Sequence, residues 1–180
     1  VKERRNCVTH GQYPYLSVLD NFVSLEKSSN GIDLGVQQVP AEFIVGTKSA
    51  MRTTAFARNF MPLLPEDTEF ASKWMQLCQS HLEEGIRDPV QLYEYMNRYY
   101  VAEGNKRVSI LKYFDTATVA AQVTRVLPER TGDPDVELYY EFAAFQKCSG
   151  INFIEFTKPG GYAELQSLMG KDPDTPWTED

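Results

Sequence analysis

The feature that most constrains the fold of this chain is a strand-like run, a single glycine and a helix-like run that follow one another over residues 99–112. Aromatic and β-branched residues at its start favour a strand, and Gly104 favours a turn. The helix after the turn opens on Lys106 and Arg107, although the partial positive charge of a helix N-terminus favours acids there. A bound phosphate or carboxylate would remove this conflict. The sequence therefore predicts an anion site over residues 104–107.

Each residue of this turn has an expected role. Gly104 lets the backbone approach a ligand without a Cβ in the way. Lys106 supplies a point charge, Arg107 supplies a two-pronged donor that matches a phosphate, and Asn105 belongs to the same binding set. Glu103, just before the turn, is the candidate catalytic residue, as a base or as a ligand that positions a metal-bound phosphate. The alternative is an ordinary strand-to-helix turn with solvated cations and a surface glutamate.

A second polar and basic group follows the first predicted core strand. The segment over residues 43–49 turns from apolar to polar within a few positions and leads into a predicted short helix over residues 52–59. One interpretation is that its arginines close over the same phosphates as the glycine turn. The alternative is a basic loop and a solvated helix face. The candidate binding residues of this group are Thr47, Lys48, Arg52 and Arg58.

The charge of the chain favours a small anionic ligand over a long polyanion. The 180 residues include 18 Lys and Arg against 25 Asp and Glu, a net charge of −7. A surface that coats DNA needs many clustered cations, whereas a local basic pocket is compatible with a negative total. Cations gather in the two candidate stretches and at Lys112, while acids dominate residues 66–88 and 129–141.

The sequence indicates a cytoplasmic protein without a membrane span, because it has no run of about eighteen apolar residues and no signal-like segment. The three cysteines, Cys7, Cys78 and Cys148, suit neither a disulfide framework nor a zinc site. We expect them to be reduced, with Cys78 and Cys148 in helix cores. His10 and His81 are too far apart in sequence to indicate a metal pair, so no metal site built by the protein alone is predicted.

Apolar periodicity predicts helices and strands that mix without strict βαβ alternation. This pattern indicates an α+β fold with a small mixed sheet and packed helices. The expected sheet combines residues 32–39, 89–95, 98–102 and 119–127. The helix over residues 105–114 is expected to pack on it through Ile110, Leu111 and Phe114. The other predicted elements are helices at 13–27, 52–59, 66–84, 136–148 and 162–169 and a strand at 151–157, with an apolar stripe on the 66–84 helix formed by Phe70, Trp74, Leu77, Cys78 and Leu82.

The chain is expected to have four regions. These are an N-terminal helical extension (1–31), a core (32–127), a C-terminal helix–strand–helix addition (128–170) and a polar tail (171–180). The first residue is Val1 and the last residues are polar and rich in proline. We therefore expect a domain of a longer protein.

At the glycine turn the chain resembles a known superfamily. A strand over residues 88–95 leads through Met96 and Asn97 into the strand over residues 98–102, and the turn EGNKR and a helix follow. This order of strand, turn, strand, G-x-x-R turn and helix resembles the ParB/sulfiredoxin superfamily over residues 32–127. The resemblance implies a ParB/sulfiredoxin-like core. It also implies, from the ParB branch, that the turn binds the phosphates of a nucleoside triphosphate such as ATP or CTP, with Mg²⁺ as a potential companion.

The same resemblance limits the chemistry of the turn. Sulfiredoxins carry their catalytic cysteine at the place of Asn105, and an amide cannot perform thiolate chemistry, so peroxiredoxin repair is expected to be absent. ParB relatives that hydrolyse CTP have an acid at that place. The asparagine therefore argues against nucleotide hydrolysis and leaves Glu103 as the acid of the turn.

The leading interpretation is a ParB-like nucleotide- or phosphate-binding regulatory module within a longer bacterial protein. The first alternative is an enzyme, either a phosphotransferase or nucleotidase that uses Glu103 or a ParB-like nuclease. The second alternative is a DNA-associated interaction module. Residues after 128 show no helix-turn-helix pattern, so contact with nucleic acid is expected only through regions outside this chain. The sequence does not specify an oligomeric state.

Overall fold

Six β-strands pair into one mixed sheet, and helices pack against it, so the fold is α+β. The computed structural model describes residues 2–23, 31–152 and 154–177. Contacts divide the chain into two units, Val1–Leu127 and Pro128–Asp180. Within the described residues no helix is long and apolar enough to cross a membrane. The strands are β1 (Ser17–Val18), β2 (Ile32–Pro40), β3 (Ile44–Thr47), β4 (Val90–Tyr95), β5 (Arg98–Glu103) and β6 (Thr118–Arg125), and the helices are α1 (Lys2–Thr9), α2 (Glu69–Glu84), α3 (Asn105–Tyr113), α4 (Pro134–Ser149) and α5 (Gly161–Leu168).

The strand order across the sheet is β1-β3-β5-β4-β6-β2. The expectation that β2, β4, β5 and β6 share one sheet is confirmed, and β1 and β3 extend it on one side. β3 is parallel to β5, so the two strands end at the same edge of the sheet. β5 leads directly into α3 at that edge. The sheet thus brings the end of β3, which carries Thr47, beside the glycine turn.

The core lies between the sheet and α3. The residues of β6 alternate between inward and outward positions, and Val119, Ala121 and Val123 are buried. Ile110 and Leu111 of α3 are also buried, as expected, and Leu111 belongs to the same apolar cluster as the β6 residues. Burial of these side chains is the main force that holds α3 on the sheet.

The expected contribution of Phe114 to this packing is wrong. The helix ends at Tyr113, and Phe114 is its C-terminal cap residue with 38% of its surface exposed. Its ring lies 5.2 Å from the ring of His81 and 5.2 Å from that of Tyr113. Phe114 therefore covers the contact between α2 and α3 and does not enter the core.

Helix α2 ends at Glu84, as its sequence predicts, and begins at Glu69, three residues later than predicted. Thr68 caps it by accepting a hydrogen bond from the Ala71 N–H at 3.2 Å, and Gly85 ends it with a positive φ of 78°. Trp74 Nε1 donates to Ser109 Oγ at 2.9 Å, which ties α2 to α3. The apolar stripe is shallower than expected, because Leu82 is 68% exposed and Cys78 is only partly buried.

The expected helix over residues 13–27 is wrong for the part that the structure describes. Tyr15 forms an isolated antiparallel bridge with Ala57, and β1 pairs in parallel with β3. Only Leu19–Asn21 forms a short 3-10 helix, and residues 24–27 lie outside the described residues. Leu16 and Leu19 are fully buried. Pairing with β3 satisfies the backbone and buries these side chains, so tertiary contacts override the helical spacing.

The expected helix over residues 52–59 is also wrong. A 3-10 helix spans Ala50–Ala55, and the chain then extends so that Phe56 bridges Pro62. Phe56 and Phe60 are both fully buried, 6.2 Å apart between ring centroids. An extended segment followed by a tight turn allows both rings to enter the core, which a regular helix here would not.

The second unit contains α4 and α5, close to their predicted positions. Asp133 caps α4 by accepting from the Asp135 N–H, and Pro134 stands in its first turn. The expected strand over residues 151–157 is wrong in its described part, where no strand forms. This segment is held instead by α5, whose Tyr162 hydroxyl donates to Ile154 O at 2.9 Å. A strand needs a neighbour to pair with, and none is present for it among the described residues.

Candidate functional site

The glycine turn joins β5 to α3 as the sequence predicts. Gly104 has a left-handed conformation, with φ 100° and ψ 21°, and is the N-terminal cap residue of α3. A Cβ at this position would lie 2.6 Å from Val90 Cγ1. Gly104 is therefore required both by its φ and by the close approach of β4. Because the cap residue has no side chain, the cap itself leaves the first N–H groups of α3 unoccupied.

A cavity of about 400 Å³ opens at this helix N-terminus. The turn forms one side of it, and apolar side chains from α2 and from the segment before α2 form the other. The apolar residues Phe70 and Leu77 are only partly buried, so their exposed surface is available to a ligand. The lining residues are Phe56, Phe70, Leu77, Ala102, Glu103, Gly104, Asn105, Lys106 and Arg107.

Lys106 lines the cavity against an aromatic ring. Its Nζ lies 4.7 Å from the centroid of the Phe70 ring, a cation–π contact. No acid occupies the first turn of α3. Glu69 stands nearby: its pKa is lowered chiefly by the hydrogen bond and charge of Lys73, and more weakly by the charge of Lys106. The ammonium group thus lies at the cavity against a ring face.

Arg107 is bound to the protein itself. Its Nη1 donates to the carbonyl oxygens of Asp88 at 2.9 Å and Pro89 at 3.2 Å, and its Nη2 pairs with the Glu103 carboxylate. The guanidinium therefore clamps the segment before β4 to α3. To fork a phosphate, as the sequence predicts, Arg107 would have to exchange at least one of these partners for the ligand.

Two further residues of the turn face the cavity. Glu103 lines it through a carboxylate that is ion-paired with Arg107 and is more than half exposed. Asn105 has its Oδ1 buried with no hydrogen-bond partner among the described residues. A buried polar atom without a partner is costly, and the oxygen and nitrogen of an amide can exchange places by rotation. The Asn105 amide can therefore accept from, or donate to, a polar group in the cavity.

The second predicted group is divided by the fold. Thr47 is buried beside the end of β5, where its hydroxyl donates to Val101 O at 3.2 Å, and the Lys48 N–H donates to the same oxygen at 2.8 Å. Both residues adjoin the turn but are absent from the cavity lining. Arg58 lines a different groove, together with Lys112. The side chain of Arg52 lies outside the described residues. The structure thus brings together Glu103 and residues 104–107 at the cavity. Thr47 and Lys48 adjoin the turn but do not line the cavity.

The apolar wall of the cavity was not predicted from the sequence. Phe70 was identified only as part of the stripe of α2, and Phe56 was placed in a helix that does not form. The available signal was an aromatic residue in the first turn of α2, close to the cationic turn in the predicted fold. No group of three or more His, Cys, Asp or Glu side chains that could hold a metal ion occurs in the described part of the chain. Magnesium that accompanies a nucleotide is held largely by the phosphates and one or two carboxylates, and Glu103 is the carboxylate that lines this cavity.

Comparison with known proteins yields a structural likeness only. No protein-family model matches the sequence, and no curated protein matches it. Among solved structures, the chain is similar to sulfiredoxin from Arabidopsis thaliana, with 18% sequence identity and a TM-score of 0.35. The match covers 50% of this chain and 84% of the sulfiredoxin chain.

Proposed function

We propose that this chain is a ParB-like nucleotide- or phosphate-binding regulatory module, and that its ligand binds in the cavity at the N-terminus of α3. The observation that carries the proposal is the composition of that cavity. It combines a helix N-terminus capped by glycine, the Lys106 ammonium and an apolar wall with an aromatic ring. Helix N-termini and lysine bind phosphates, and an apolar wall suits a flat base.

In this proposal each side of the cavity meets a different part of the nucleotide. The phosphates accept hydrogen bonds from the first N–H groups of α3 and from Lys106. The base lies on the partly exposed surface of Phe70 and Leu77. A ribose hydroxyl supplies the partner that Asn105 Oδ1 lacks. These contacts, made on different sides of the cavity, give the binding its orientation.

Arg107 provides the regulatory element of this proposal. In the structure described above its Nη2 pairs with Glu103 and its Nη1 binds two carbonyl oxygens. A phosphate competes with the Glu103 carboxylate for the same guanidinium edge, because each is an anion that can accept two parallel hydrogen bonds from arginine. Binding would then release Glu103, which changes the surface beside the cavity.

The test is titration of the purified protein with ATP, CTP and GTP, with and without Mg²⁺, by calorimetry. We expect Lys106→Ala to weaken binding of the preferred nucleotide about tenfold or more, the effect of losing a charge-assisted contact. Lys158→Ala is the matched control, because Lys158 is an exposed lysine of the second unit. The proposal fails if no nucleotide or inorganic phosphate binds, or if Lys106→Ala binds as tightly as the Lys158→Ala control.

A second candidate is an enzyme that transfers or hydrolyses a phosphoryl group with Glu103. The observation that favours it is that the Glu103 carboxylate lines the same cavity as Lys106. Against it, the carboxylate is paired with Arg107, and no histidine or second acid lines the cavity in the described residues. Release of phosphate from ATP or CTP separates this candidate from the binding module.

A further inference from the structure

A large groove opens at the end of α3 opposite to the glycine turn. It has a volume of about 1080 Å³ and lies at the start of β3 and β5. A second cavity of about 680 Å³ shares Glu42, Asn59 and Lys112 with it. Lys112 is in the last turn of α3, about 10 Å along the helix axis from Asn105 at 1.5 Å per residue. The groove is therefore a separate feature from the cavity described above.

Three cations line this groove, and each is held by neutral groups. Arg58 Nη1 donates to Gln12 Oε1 at 3.2 Å, Arg98 lies over the Phe43 ring at 5.4 Å, and Lys112 Nζ lies over the Phe60 ring at 5.3 Å. None of the three forms an ion pair within 4.0 Å with an acid of the described residues. Two acids, Glu3 and Glu42, also line the groove, but neither pairs with these cations within that distance. The lining thus has three cations against two acids, and its cations are available to an external anion.

Lys112 is the most constrained of these cations. It is half-buried at the junction of the two cavities. Burial lowers the pKa of its ammonium, and the charge of Glu42 opposes that effect in part. An anionic ligand would stabilise the charged form by restoring the interactions that burial removes. The position of Lys112 therefore favours occupation of the junction by a negatively charged group.

Aromatic rings stand on the wall of the same groove. Tyr13 and Phe22 line it with 62% and 60% of their surface exposed, and Tyr13 packs edge-on against Tyr15 at 5.8 Å. Cations and exposed rings that line one open groove match the way in which proteins bind the backbone and bases of nucleotides in single strands.

We infer that this groove is a second ligand site, which binds the phosphate-and-base unit of nucleotides through Arg58, Arg98 and Lys112 and through stacking on Tyr13 and Phe22. A single-stranded nucleic acid and a free nucleotide both contain this unit. The groove volume is close to the upper end of the range of small-ligand pockets, so the groove can hold a nucleotide. The site is independent of the function proposed for the cavity at the N-terminus of α3.

The inference is tested by fluorescence anisotropy with a short labelled oligothymidylate and by competition with thymidine monophosphate. The test variant is Arg98→Gln/Lys112→Gln, and the matched control is Arg87→Gln/Lys158→Gln, which removes the same charge from exposed residues outside the groove. We expect the test variant to bind roughly tenfold more weakly for each lost charge-assisted contact, and the control to bind as the wild type does. The dependence of binding on salt should also fall by about 0.7 in log–log slope for each lost phosphate contact.

These measurements separate the sources of the ligand. Oligothymidylate binding that free nucleotide does not displace identifies single strands as the ligand. Groove-dependent binding of the mononucleotide alone identifies free nucleotides, and either result supports the site. If Lys112→Gln does not fold, Arg98→Gln alone gives the same test, because Arg98 is exposed. Absence of binding by the wild type, or equal binding and equal salt slope in the test and control variants, overturns the inference.

Discussion

Arg107 connects three parts of the first unit through one guanidinium group. It binds the carbonyl oxygens of Asp88 and Pro89 before β4 and the carboxylate of Glu103 at the end of β5, while its own backbone belongs to α3. Loss of hydrogen bonds to a charged group typically destabilises a protein by about 1.5–3 kcal/mol. The residue that the sequence marks as a phosphate ligand is thus also a structural residue of the turn.

We therefore predict that Arg107→Ala lowers the free energy of unfolding by about 1.5–3 kcal/mol. It should also weaken nucleotide binding, again by about 1.5–3 kcal/mol. Arg107→Lys should recover only part of both, because lysine cannot reproduce the planar fork. Denaturant unfolding and calorimetric titration measure the two effects separately. Glu103→Gln is the control, since it removes the ion pair but leaves the two carbonyl contacts of Arg107 in place. Wild-type stability in Arg107→Ala would contradict the clamp, and wild-type affinity would contradict the phosphate contact.

A second prediction at this scale concerns turnover. Glu103 is the one acid among the residues that line the cavity in the described part of the chain, and Arg107 pairs with it. Phosphoryl transfer needs a positioned nucleophile as well as charge stabilisation. We expect wild-type protein with Mg²⁺ and ATP or CTP to release little or no phosphate in a sensitive continuous assay. Steady multiple turnover that Glu103→Gln abolishes would promote the enzyme over the binding module.

At the scale of the elements, β4 and β6 are joined by a buried ion pair. Glu94 and Arg125 are register partners in the two parallel strands, and both are almost fully buried. The Arg125 Nε–H pairs with Glu94 Oε2, and the Asn97 N–H donates to Glu94 Oε1 at 2.8 Å. Removal of one partner leaves an uncompensated charge in the interior, which is strongly destabilising.

We predict that Glu94→Ala and Arg125→Ala each lower the free energy of unfolding by about 3–5 kcal/mol. The double variant Glu94→Leu/Arg125→Met should lose much less, because an apolar pair of similar size leaves no buried charge. Urea unfolding of the three variants and the wild type gives the comparison. If the double variant is less stable than both single variants, an unpaired buried charge is not the cause of the stability that the single variants lose.

The elements that the sequence predicted well are those whose signals are local. The hairpin of β4 and β5 turns at Met96 and Asn97, which both have positive φ, and α2 has its own cap residues at both ends. The segment around Leu16 was predicted as a helix because its apolar spacing fits a helix, and the segment around Phe56 was also predicted as a short helix. Their structure depends on pairing with β3 and on burial among distant residues, and a single sequence does not contain those partners.

The candidate site was predictable to the same extent. The glycine turn, its helix and its two cations follow from the residues in order. The contacts of Arg107 with the carbonyl oxygens of Asp88 and Pro89 could not be predicted, because these two residues lie before a different strand. Nor could the separation of Arg58 from Lys106 be predicted, since it depends on the path of the chain between β3 and α2. Prediction of the apolar wall at Phe70 would have required knowledge of how α2 packs against α3.

At the scale of the whole molecule, the charge distribution makes a net charge of −7 compatible with the anionic ligands that we propose. The fold places Lys106 and Arg107 at one end of α3 and Lys112 at the other, with Arg58 and Arg98 beside Lys112. One short helix therefore separates two cationic regions. Charges more than about 10 Å apart are largely screened at physiological salt, so the acids elsewhere in the chain weaken these regions little.

Titration at high pH tests the packing of tyrosines in both units. Burial raises the pKa of Tyr99 and of Tyr100 in the first unit and of Tyr162 in the second above the usual 10.0. For Tyr99 the charge of Glu94 adds to this effect. Between the unfolded and folded pKa the native state holds more protons than the unfolded state, so stability falls as pH rises. The lowered pKa of Lys112 acts in the opposite direction, but only below its usual 10.5.

We therefore predict that the free energy of unfolding falls as the pH rises above about 10.5, because the buried tyrosines keep their protons there and the opposing effect of Lys112 is exhausted. Tyr99→Phe should reduce the slope in this range, because phenylalanine occupies the same space without an ionisable hydroxyl. Denaturant unfolding at a series of pH values measures the slope, with Tyr13→Phe as the control at an exposed tyrosine. An alkaline slope that Tyr99→Phe leaves unchanged would mean that the hydroxyl of Tyr99 ionises as readily in the folded protein as in the unfolded chain.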